Sequence, residues 1–148
     1  MKYIKLFENF EDNIEFDIQE LEDILISMSD YGFIFEDVST GSAIKMNRDY
    51  VDNSSYFSVN KDSYKHFSIR FKSQDYCFLN DDFFEDIKYI IEHVESRYNV
   101  ELHCIFTSGL KHVYYKNLDV FKSKLREIFP SGDIRVKYNR LELMFEIK

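Results

Sequence analysis

The sequence predicts an α+β fold: a largely antiparallel sheet with three helices packed on one face. Three observations lead there. Three segments repeat apolar residues at three- and four-residue steps, and the segments between them alternate at period two. Those strand-like segments also come in adjacent runs broken by single helices, the pattern of an antiparallel sheet with helices segregated to one side. A chain of 148 residues falls within the size of one domain, and no linker or low-complexity tract divides it. Residues 1–148 are therefore read as a single α+β unit.

The first helix is expected over Asn13–Asp30, where Ile14, Ile18, Leu21, Leu25 and Met28 share a stripe that Gly32 ends. Phe33–Val38 and Ala43–Asn47 then read as strands on either side of the turn-forming Ser39, Thr40, Gly41 and Ser42. Tyr56–Val59 and Tyr64–Lys72 form a second such pair. A second helix opens at Asn80, Asp81 and Asp82, a cap followed by carboxylates that suit the positive end of a helix dipole. It carries Phe84, Ile87, Ile91, Val94 and Tyr98 on one stripe. Val100–Thr107 and His112–Tyr115 read as strands that pair across Ser108–Lys111. The third helix begins near Asn117, carries Leu118, Phe121, Leu125 and Ile128, and stops before Pro130, which cannot continue it. Ile134–Tyr138 and Leu141–Ile147 close the chain as strands around Asn139 and Arg140. The core expected beneath the helices comprises Phe67, Ile69, Phe71, Leu102, Cys104, Phe106, Leu143 and Phe145.

The net charge of −8 argues against general nucleic-acid binding, which needs surplus Lys and Arg to displace counterions. No apolar run approaches the roughly 18–20 residues needed to span a bilayer. Cys77 and Cys104 have no spacing pattern and no secretory leader ahead of them, so they read as buried thiols in a reducing compartment. A cytoplasmic location follows, of a cell or of an infected cell. One Ala (Ala43), one Pro, four Gly and no Trp stand against 15 Phe and 11 Tyr. That is the bias of an AT-rich genome, and it builds the core from aromatic rings.

The opening MKYIKLFENF has two readings. It is a short edge strand held to the core by Ile4, Leu6 and Phe7, or it is a targeting peptide. Met-Lys, apolar residues and Phe-Glu-Asn-Phe resemble the start of small accessory and internal proteins of large T-even-like tailed phages. Some such openings target internal proteins to the capsid. The resemblance implies a phage protein, and Leu6-Phe7-Glu8 is similar to the (L/I/F)-x-E pattern cut by the prohead protease of those phages. Ile18-Gln19-Glu20 has the same form but lies in an expected helix.

Strand alternation gathers one polar constellation. It sets His66, Ser68 and Arg70 opposite Phe67, Ile69 and Phe71, and sets His103 outward on the next strand. Arg135 and Lys137 alternate with Ile134 and Val136. If these strands share a sheet, its helix-free face collects His66, Ser68, Arg70, His103, Arg135 and Lys137, a cationic and hydrogen-bonding surface on an acidic protein. Such a face suits a phosphorylated small ligand or an acidic host protein. A solvated sheet face needs polar residues in any case.

His66-Phe67-Ser68 is similar to one half of the paired His-x-Ser/Thr motif of two-histidine phosphodiesterases. The second half fails, because Ile105 follows His103 two places on. His93 and His112 have no metal-binding spacing around them, and no phosphate loop or nucleophile elbow is present. No cofactor, metal site or catalytic residue is expected. The leading expectation is a phage accessory protein that binds in the host cytoplasm, in host takeover or anti-defence, by sequestering a nucleotide signal or blocking a host protein. The alternatives are a minor virion or packaged internal protein, and a phosphodiesterase using His66.

Overall fold

Alternating apolar residues on long strands dictate a sheet that buries one face, and the computed structural model shows it. The structure describes residues 3–6, 14–46, 48–52, 62–73 and 75–148. The elements are β1 (Tyr3–Leu6), β2 (Ile14–Asp17), α1 (Ile18–Ser27), a 3-10 turn (Met28–Tyr31), β3 (Phe33–Ile44), β4 (Tyr50–Val51), β5 (Ser63–Ser73) and β6 (Tyr76–Phe78). They continue with α2 (Asp81–Tyr98), β7 (Val100–Ser108), β8 (His112–Tyr115), α3 (Leu118–Ile128), β9 (Arg135–Lys137) and β10 (Arg140–Ile147). The main sheet has six strands in the order β3-β5-β10-β7-β8-β4, with every pairing antiparallel. The fold is α+β, as the sequence predicts.

Phe67, Ile69, Phe71, Leu141, Leu143 and Phe145 point to the helix side. They meet Leu21 and Leu25 of α1, Ile87, Ile90 and Val94 of α2, and Phe121 and Leu125 of α3. Each helix starts where a side chain caps it. Asp17 accepts from the Gln19 N–H, Asn80 from Phe83 and Asn117 from Val120. Among the described residues no helix is long and apolar enough to cross a membrane.

Five expectations are corrected. The first helix begins at Ile18 rather than Asn13, because Ile14–Asp17 pair with Tyr3–Leu6 as a hairpin that ends in the Asp17 cap. Ser39–Ser42 make no turn: β3 runs unbroken for 12 residues, with Gly41 opposite His66. Cys104 and Phe106 do not lie beneath the helices. Met144 pairs with Cys104 but Phe145 with Leu102, so His103 is an extra residue in a bulge that reverses the facing of the rest of β7. Ile105 enters the helix-side core instead, while Cys104 and Phe106 join Met46, Val51 and Met144 in a second cluster. Ile128 is 69% exposed rather than core-facing. Finally, β9 does not pair with β10; it pairs with β6 as a separate two-stranded ribbon. The expected strand Tyr56–Val59, and Phe7 and Glu8 of the cleavage-like pattern, lie outside the described residues.

Strand order fixes one further feature. β3 and β4 are consecutive in the chain yet occupy opposite edges of the sheet. The chain after Ile44 therefore crosses the helix-free face to reach Tyr50, and Met46 is buried there against Cys104, Phe106 and Met144. On a flat sheet that crossing is about 24 Å, at roughly 4.8 Å per strand. The connection reaches only about 20 Å. The sheet must curl around the strap.

Candidate functional site

The expected constellation divides into two places. His66, Ser68, Arg70 and His103 share the helix-free face, whereas Arg135 and Lys137 lie on the β6–β9 ribbon. The sheet-sharing on which the six-residue surface depended does not hold for β9.

The first place is neither cationic nor open. Arg70 makes a two-pronged bond to Asp37, Nε to Oδ1 at 2.6 Å and Nη2 to Oδ2 at 2.8 Å. That bond holds the Asp37 carboxyl below its usual range. Glu142 faces Arg70 across the strand pair, and burial raises its pKa against the pull of Arg70 and Arg140. Lys45 is 3.4 Å from Glu146. Charge on this face is thus balanced locally, which corrects the expected surplus.

The two histidines sit close together around Tyr64. The His103 ring is 4.2 Å from the Tyr64 ring and the His66 ring 5.9 Å from it. His103 Nε2 accepts the Met46 backbone N–H at 2.8 Å, so this nitrogen is unprotonated and the ring is neutral. Burial lowers the pKa of both rings, and for His66 the neighbouring His103 adds to it. Ser68 Oγ and His66 Nδ1 are buried without a hydrogen-bond partner. Among the described residues no group of three His, Cys, Asp or Glu is placed to hold a metal ion.

The second place is the outer face of the ribbon. Tyr76 pairs with Lys137, Cys77 with Val136 and Phe78 with Arg135. Alternation sends Cys77 and Val136 into the helix-side core, and the Leu79 N–H to Ile134 carbonyl bond at 3.0 Å extends the ladder. The opposite face then carries Tyr76, Phe78, Arg135 and Lys137. The rings are 42% and 44% exposed, and the Arg135 guanidinium lies 4.2 Å from the Tyr76 centroid and 5.7 Å from that of Phe78. Arg70, Arg97, Arg126, Arg140, Lys111 and Lys122 each have a carboxylate partner; among the described residues Arg135 and Lys137 have none.

Gly32 shapes the support beneath this ribbon. It closes the 3-10 turn at φ +93°, and a Cβ there would collide with the Tyr76 carbonyl oxygen. Tyr76 and Phe78 were not singled out from the sequence. The available signal was a buried-type Cys between two aromatics, which at period two places both rings on the face away from the core.

Compared with known proteins, the chain matches no family model, no curated protein and no solved structure.

Proposed function

We propose that this protein acts by binding: it is an accessory protein of a large tailed phage that docks on an acidic surface of a host protein in the host cytoplasm. One observation carries the reading. The ribbon presents two exposed aromatic rings, with Arg135 stacked on them and Lys137 beside them, on a protein of net charge −8 whose other arginines named above are neutralised at home. Tyr and Arg are the residues that dominate interface energetics. A guanidinium held against rings is already ordered, so less entropy is lost when it meets a carboxylate. The opening MKYIKLFENF and the AT-rich composition support the phage origin.

A photo-crosslinking residue placed at Phe78, compared with one at Glu22, tests this in infected cells. The expected result is one host protein captured at Phe78 alone and lost with Arg135→Glu. With that protein purified, Tyr76→Ala combined with Arg135→Ala should weaken binding by at least about 30-fold, roughly 2 kcal/mol, with the melting temperature held. Normal binding by the double variant would place the site elsewhere. If nucleotides alone shift the Tyr76 and Phe78 resonances saturably, the ligand is a phosphorylated small molecule. Stoichiometric recovery from purified particles would favour the packaged-protein alternative.

A further inference from the structure

We propose that His103 is a proton-operated latch: its neutral ring holds the strap that crosses the helix-free face, and its protonation releases that strap and uncovers the Cys104–Met144 cluster. The latch is a different feature from the docking ribbon and stands without it.

The strap is fixed at three points. At its start the Lys45 N–H bonds the Asp62 carbonyl at 2.9 Å, and at its end the Lys116 N–H bonds the Asp49 carbonyl at 2.8 Å and β4 pairs with β8. Between these anchors the Met46 N–H bonds His103 Nε2 at 2.8 Å, and the Met46 side chain seats among Cys104, Phe106 and Met144. The ends are backbone pairings that no proton can alter near neutrality. The middle hangs on an imidazole nitrogen that must be an acceptor.

Protonation turns that acceptor into a donor facing a donor. The Nε2–H and the Met46 N–H cannot share one position, so either the ring or the strap must move. His103 has little freedom, because the bulge fixes its backbone and its ring packs 4.2 Å from Tyr64. The strap carries the change. Met46 would leave its seat, and Cys104, 3% exposed with its thiol 3.6 Å from the Met144 sulfur, would meet solvent.

The charged groups around the ring set where this happens. Glu146 of β10 and Glu101 of β7 favour the imidazolium, while Lys45 of the strap and Lys116 beyond β8 oppose it. His66 of β5 opposes it when itself charged, and Tyr64 of β5 stays neutral throughout because burial holds its proton. Burial is the largest influence and holds His103 below its ordinary 6.5. The closed strap therefore prefers the unprotonated ring, and opening is favoured as pH falls below about 6.5.

The test uses the full chain carrying Cys77→Ser, so that Cys104 is the only thiol, and a dipyridyl disulfide, which still reacts with thiols in mild acid. The labelling rate, divided by that of the urea-unfolded chain at each pH, should rise at least tenfold between pH 7.5 and 5. In parallel, imidazole nitrogen shifts should show His103 with Nε2 unprotonated at pH 7.5. The Met46 amide and methyl signals should move with the His103 midpoint. His103→Phe should abolish the pH dependence of labelling, while His66→Phe should leave it. A normalised rate flat across the His103 midpoint overturns the latch, as does a Met46 amide that titrates with His66 instead. The nitrogen and methyl titrations are read on the chain with its histidines intact, so they decide the matter even if His103→Phe fails to fold.

Discussion

Phe67 has no exposed surface, and its ring stacks 5.2 Å from Phe145 and lies 6.3 Å from Phe16. Truncating it removes ring–ring contact and leaves a cavity that rigid neighbours cannot fill. Phe67→Ala should therefore cost about 3–5 kcal/mol in urea unfolding. A loss below about 1 kcal/mol would mean that the helix-side core is not built around β5. Gly32 makes a sharper test, since its φ is +93° and the Tyr76 carbonyl occupies the space a Cβ would need. Gly32→Ala should cost about 2 kcal/mol through strain and displacement of the ribbon, seen as a lower melting temperature. Broadened Tyr76 and Phe78 resonances should accompany it. Unchanged ribbon signals would show that the 3-10 turn does not support that face.

At the level of elements, each helix depends on the residue before it. Asn80 accepts from the Phe83 N–H at 2.9 Å, so Asn80→Ala should lose about 1 kcal/mol, and Asn80→Asp should keep most of it. Equal loss from both would mean that the cap bond contributes nothing. This signal was legible in the sequence, as were the start of the third helix near Asn117 and the period-two faces of β5 and β10, because each is dictated by residues close together in the chain. The misread elements were decided by distant partners. Ile14 and Ile18 share a helical stripe, but Ile14 pairs with Leu6 instead. Ser39–Ser42 carry turn chemistry, yet β5 offers them a full ladder of partners. No local pattern marks His103 as a bulge, and that one extra residue inverted Cys104 and Phe106. Arg135 and Lys137 were identified as outward cations, but their neighbours depended on β9 pairing with β6 across the whole of α2 and α3.

For the whole molecule, the balance of buried titrating groups sets the response to acid. His66 and His103 are both held below 6.5, chiefly by burial, so the folded chain binds fewer protons there than the unfolded chain does. Their contribution to stability is complete above about pH 6.5 and is lost as pH falls below that value. Asp37, lowered by its bond to Arg70, contributes in the same direction but only further down, below its ordinary 3.8. Glu142 runs the other way. Burial raises it above 4.5, so its contribution is present below 4.5 and is lost as pH rises through its folded value. Below 6.5 the folded chain binds fewer protons at His66 and His103 than the unfolded chain does. The urea midpoint should therefore fall between pH 7.5 and 5.5, less steeply where Glu142 takes up its proton. His66→Phe should reduce the fall without abolishing it, because His103 still binds fewer protons in the folded chain than in the unfolded one. The paired His66→Phe and His103→Phe variant should show almost no fall until the carboxylates begin to titrate. A wild-type midpoint constant down to pH 5.5 would mean that water reaches both rings freely, and that the strap does not seal this face of the sheet.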